Sequence, residues 1–97
     1  MKDHTRRPEV IPAFRETYTL GREPETITVE VQVRPVAQMV GPGYRLAARA
    51  VVDGREWHMG SSLSGTKGRF ILSAAATQLA RQLDAQVRFD LAEEASR

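Results

Sequence analysis

Between Thr26 and Arg34 the chain reads TITVEVQVR, with Ile27, Val29, Val31 and Val33 at one parity and Thr28, Glu30, Gln32 and Arg34 at the other. Successive side chains of a strand point to opposite faces, so this alternation predicts a strand with one buried and one wet face. Upstream, Phe14–Leu20 is rich in β-formers and places Phe14, Tyr18 and Leu20 at one parity, followed by turn chemistry in GREPE at 21–25. Downstream, Pro35 lacks a backbone donor and is expected to end or bulge the strand, and VAQMVGPG reads as an irregular connection. Tyr44–Val52 (YRLAARAVV) is a second strong strand. Asp53-Gly54 then supplies a two-residue hairpin, because a type I′ turn needs positive φ at both central positions. The return strand is predicted over Arg55–Met59.

The period changes after Arg69. Leu72, Ala75, Ala76, Leu79, Ala80 and Leu83 recur at three- and four-residue steps and form one stripe, which predicts a helix over 69–86. Three consecutive alanines, Ala74–Ala76, raise helix propensity and permit close approach to a sheet. Val87-Arg88-Phe89-Asp90-Leu91 alternates again and is read as a short fifth, edge strand. The fold class that follows is α+β: a two-layer sandwich in which an antiparallel meander of about four strands carries one C-terminal helix on one face. Residues 1–12 are expected as a flexible arm, 13–91 as a single domain and 92–97 as a flexible acidic tail. One helix covers only one face of such a sheet, so the other face is wet or covered by a partner.

Composition narrows the class of function. The chain has 97 residues, no cysteine and a formal net charge of +2, with twelve arginines and two lysines. Without cysteine there is no disulfide and no thiolate nucleophile or metal ligand. No apolar run is long enough to span a bilayer, and the first residues lack the apolar core of a signal peptide, so a cytoplasmic protein with no membrane partner is expected. A charge of +2 does not by itself argue for nucleic acid; the placement of charge does. Arg45, Arg49, Arg55, Lys67 and Arg69 make the middle of the chain basic, whereas Asp90, Glu93 and Glu94 make its end acidic.

GSSLSGTKGRF, residues 60–70, comes closest to a chemical motif. Its G-x-x-x-x-G-T-K departs from the phosphate-binding G-x-x-x-x-G-K-[ST] by transposing the last two positions. One step along a helix is a rotation of about 100°, which moves the hydroxyl away from where magnesium would be held. The stretch reads better as the entrance to the helix, with Ser64 or Thr66 as its cap. Backbone amides there, beside Lys67 and Arg69, would also favour an anion such as a nucleic-acid phosphate. From the preceding hairpin through Thr66-Lys67, Ala74-Ala75, Leu79 and Leu83, the chain resembles the C-terminal part of double-stranded-RNA-binding domains. It departs from them at Gly68 and Ile71, where further lysines are expected, and in lacking the N-terminal helix. The resemblance implies contact with RNA phosphates at the helix start.

Other constellations are weaker. Asp53, His58 and a serine (Ser61, Ser62 or Ser64) would be a nucleophile set, but Asp53 is explained by its turn. His4 and His58, without cysteine, make no zinc site. Trp57 and Tyr44 fit a core, or else a stacking platform for single-stranded bases beside Arg45, Arg49 and Arg55. On the wet parity of Tyr44–Val52, Arg45, Ala47, Arg49 and Val51 mix guanidinium with small apolar groups, which suits either a dimer interface or an anion-rich partner. The chain is therefore expected to be a non-enzymatic module, with no cofactor and no small-molecule substrate, that self-associates or binds a protein through Ala47, Arg49 and Val51. Nucleic-acid binding through Arg45, Arg49, Arg55, Lys67 and Arg69 is the alternative, and an accessory enzyme subunit is a third reading.

Overall fold

In a computed structural model, which describes residues 10–39 and 41–97, four strands are followed by one helix. They are β1 (Phe14–Leu20), β2 (Ile27–Gln38), β3 (Gly41–Val52), β4 (Arg55–Ser64) and α1 (Arg69–Ala95). The strands lie in the order β1-β2-β3-β4, every neighbouring pair antiparallel, and α1 packs across one face. This is the α+β two-layer meander that the alternation of the strands and the period of the helix predict.

One parity of each strand builds the core. Val29, Val31 and Val33 of β2 and Leu46, Ala48 and Ala50 of β3 are buried beneath Leu72, Ala76, Leu79, Ala80, Leu83 and Val87 of α1. Alanines on both layers shorten the side chains between helix and sheet, so the backbones can approach closely. The Asp53-Gly54 turn has φ of 52° and 80°, the positive pair that a tight hairpin requires. At the same end of the sheet, Arg88 donates to the carbonyls of Leu20 and Glu25 (3.1 and 3.0 Å) and pins the β1–β2 turn to α1. Gly21 lies directly under that guanidinium, where a Cβ would collide with it.

Several boundaries differ from the sequence reading. β2 runs through Pro35 to Gln38, and Gln38 pairs with Gly41, so VAQMVGPG is mostly hairpin rather than irregular connection. β1 pairs with β2 only as far as Val33, so at Pro35 one side of β2 has no ladder partner among the described residues and a missing donor is tolerated. β4 continues past Met59 to Ser64, because β3 extends back far enough for Gly43 to pair with Ser64. There is no fifth strand among the described residues: 87–91 is helical, and residues 92–95 of the expected tail complete α1. Val87 is 0% exposed and extends the stripe of Leu79, Ala80 and Leu83, whereas Phe89 points away from the sheet at 61% exposure. The expected N-terminal arm falls largely on residues 1–9, outside the described residues. Just beyond them, the Ile11 amide donates to the Tyr44 hydroxyl (3.0 Å).

Candidate functional site

Nothing among the described residues covers the side of the sheet opposite α1. Register fixes which residues meet there, in rows that run across the strands. Glu30, Arg49 and His58 form one row, Arg15, Gln32, Ala47 and Gly60 the next, and Arg34, Arg45 and Ser62 a third; Thr28, Val51 and Glu56 stand beyond the first. Ala47, Arg49 and Val51, the expected interface residues, are all exposed on this face. Ala47 and Gly60 make its middle a floor of small side chains, with a depression of about 300 Å³ bounded by Arg45, Ala47, Gly60 and Ser62.

The charges on the face are unevenly matched. Arg49 holds Glu56 with two donors (2.9 and 3.4 Å), and His58 Nε2 lies 3.0 Å from the same carboxylate. Chiefly through the Arg49 hydrogen bonds, and then through His58, the Glu56 carboxyl is lowered to about 2; Arg49 is correspondingly raised. Arg15 pairs with Glu30 at 3.2 Å. Arg34 and Arg45 sit directly opposite one another on β2 and β3, and no carboxylate among the described residues pairs with either. Like charges directly opposite in a sheet repel, so this pair is a local cost to the fold.

The five basic residues expected to bind nucleic acid do not form one surface. Arg45 and Arg49 are on the open face. Arg55 lies on the helix side, paired with Glu94 and stacked 4.4 Å over the Trp57 ring. Arg69 turns to the far edge, where it meets Glu16 (3.3 Å) and lies 3.6 Å over the Phe14 ring. Lys67 is in the linker between β4 and α1. The stacking platform is not formed either, since Tyr44 is 1% and Trp57 8% exposed, both within the core cluster. The Trp57 indole donates to Asp90 (2.8 Å), which lowers the Asp90 carboxyl. Among the described residues the open face therefore carries no aromatic ring besides the His58 imidazole, which is tied to Glu56.

The helix entrance differs from its sequence reading as well. Residues 60–64 are strand, so no glycine-rich loop is available to cradle a phosphate. Gly68 is the N-cap and no side chain caps the helix, because Ser64 is held in the β3–β4 ladder and Thr66 lies two residues short of the cap. His58 is bonded to Glu56 rather than to Asp53, which stays in its turn, and His4 lies outside the described residues. A cavity of about 490 Å³ lies at the far β2–β3 hairpin. Pro35, Val36, Ala37, Pro42, Tyr44 and Thr66 line it, and no carboxylate, histidine, lysine or arginine is among its described lining residues.

No protein-family model, curated protein or solved structure matches the chain. The resemblance to double-stranded-RNA-binding domains therefore rests on its short motif alone. No helix among the described residues is long and apolar enough to cross a membrane. Sequence reasoning passed over Arg34 and Gly60. Arg34 was legible as the last wet position of TITVEVQVR, but its place opposite Arg45 depends on the length of the β2–β3 turn.

Proposed function

We propose that the protein is a non-enzymatic interaction module that binds a carboxylate-bearing partner protein through the open face of its sheet. The observation that carries this reading is the charge of the face. It holds Arg15, Arg34, Arg45 and Arg49 against Glu30 and Glu56, and both glutamates are already engaged. A second copy laid on this face would bring cation to cation, whereas an acidic partner relieves the Arg34–Arg45 repulsion. Interfaces are enriched in arginine, and Ala47, Gly60 and Val51 supply a low floor on which a partner's main chain can rest. A nucleic-acid partner is less well served, because the basic residues are dispersed and the face offers no Trp, Tyr or Phe ring among the described residues, only the His58 imidazole held by Glu56.

The test is a photo-crosslinking residue in place of Ala47, with the same residue at Asp53 as a control, in cells that express the protein. A discrete adduct with another protein at position 47, lost when Arg45→Glu is added, is the expected result. Adducts only between copies of this chain, adducts with nucleic acid, or none would overturn the reading.

A further inference from the structure

The solvent side of α1 is apolar at both ends. Phe70 is 83%, Ile71 49% and Phe89 61% exposed, and Ala74 and Ala85 stand exposed between them. A helix lying on a sheet ordinarily turns charge to water on its far side. Here Phe70, Ala74, Gln78, Arg81, Ala85 and Phe89 follow one another at steps of four, four, three, four and four, opposite the buried stripe of Leu72, Leu79 and Leu83. That stripe is a mirror sequence about the point between Leu79 and Ala80. Phe70 reflects onto Phe89, Ala74 onto Ala85 and Gln78 onto Arg81.

We propose that α1 is a homodimer interface, in which the helices of two copies run antiparallel about a two-fold axis between Leu79 and Ala80. A two-fold contact must fit a surface to itself, residue i meeting j and j meeting i. The mirror arrangement meets that condition over the whole stripe. Phe70 of one copy covers Phe89 of the second at both ends, and Ala74 against Ala85 lets the axes approach to about 8–10 Å.

Charge points to the same arrangement. α1 has no acidic residue in its first turn and no basic residue in its last, the reverse of what its own dipole favours. Lys67 precedes the helix and Glu93 and Glu94 close it. An antiparallel second helix brings the acidic end of one copy, Glu93 above all, to Lys67 of the other and aligns the two dipoles favourably. About 28 Å separates Phe70 from Phe89 along the helix. A contact of that length lies at the low end of specific interface sizes, so the dimer dissociates on dilution. The dimer leaves both open sheet faces outward and available, so this inference does not depend on what binds them.

The absence of cysteine makes the test direct. Sedimentation across a concentration series should show the 10.8 kDa chain passing to twice that mass. Gln78→Cys, close to the axis, should form a disulfide between copies under mild oxidation, and Ala47→Cys on the sheet should not. Ala85→Arg should weaken association about tenfold or more, a cost of about 1.4 kcal/mol. The double variant Ala74→Glu/Ala85→Arg should restore it, because each new guanidinium then faces a new carboxylate across the axis. These positions face solvent, and circular dichroism checks that each variant is folded. A wild-type monomer at millimolar concentration overturns the proposal. So does a dimer that is insensitive to Ala85→Arg, or one that links through position 47 and not 78; the last result would place self-association on the sheet.

Discussion

Replacing Val87 and, separately, Phe89 with alanine tests whether the end of the chain is helix or strand. In a strand over 87–91 the two side chains share a face, and the larger ring would cost more to remove. In α1 they part: Val87 is 0% exposed against the sheet and Phe89 is 61% exposed. Val87→Ala removes two buried carbons, about 1.6 kcal/mol at roughly 0.8 kcal/mol each, and the small cavity left behind adds about 1 kcal/mol. Alanine's higher helix propensity returns up to about 0.5 kcal/mol, so the net loss is about 2 kcal/mol. For a domain of this size each kcal/mol shifts Tm by about 4–8 °C, which gives a fall of about 8–16 °C. Phe89→Ala, at a solvated position, stays within about 0.5 kcal/mol of the parent. Both are read by thermal and urea unfolding, followed by circular dichroism at low micromolar concentration so that association does not contribute. A Phe89→Ala variant as destabilised as Val87→Ala would refute the helical register.

Four further outcomes are expected. Arg45→Glu should leave stability unchanged or raise it by about 0.2–1 kcal/mol, since it turns the Arg34–Arg45 repulsion into an attraction, while abolishing the adduct at position 47; a marked loss of stability in urea would contradict it. The Glu56 carboxyl, followed by carbon NMR, should titrate with a midpoint of about 2 and return toward the ordinary carboxylate range in Arg49→Gln. Its folded value lies below the unfolded one of about 4.3, so its contribution to stability is full above that pH and is lost as pH falls toward 2; an ordinary midpoint would show that the ion pair does not persist. Gly54→Ala, at φ +80°, should cost about 1 kcal/mol in urea, and an unchanged midpoint would contradict the turn. Gly68→Asp at the uncapped N-terminus should stabilise by a few tenths of a kcal/mol, since a Cβ there meets nothing within 4 Å and the first turn has no acidic residue; a lower Tm would count against that cap.

The candidate site divides in the same way as the fold. Parity alone placed Ala47, Arg49 and Val51 on the wet side of β3, and Arg34 on the wet side of β2. Whether Arg34 lies beside Arg45, and whether Glu56 reaches Arg49, depends on register. The Asp53-Gly54 turn made the second contact legible, but the β2–β3 turn was hidden inside a segment read as irregular. Arg55 and Arg69 were drawn into one basic surface because they are near Arg45 in sequence. In space they occupy different sides of the molecule, each held by an acid distant in the chain, Glu94 and Glu16.

What the sequence determined by itself is local: the alternation of Ile27 to Val33, the positive-φ pair at Asp53-Gly54 and the stripe from Leu72 to Leu83. Each is a short-range steric or solvation preference that acts within a few residues and needs no partner to be read. The tertiary structure decided the rest. β4 reaches Ser64 because β3 extends far enough to pair with it, and Pro35 stays in β2 because β1 stops short of it. Residues 87–91 satisfy both periods at once, since Val87 and Leu91 are two strand repeats and one helical turn apart. Local pattern cannot choose between those, because the choice depends on what lies beneath. α1 continues because the sheet offers Val87 a buried place that a lone edge strand would not.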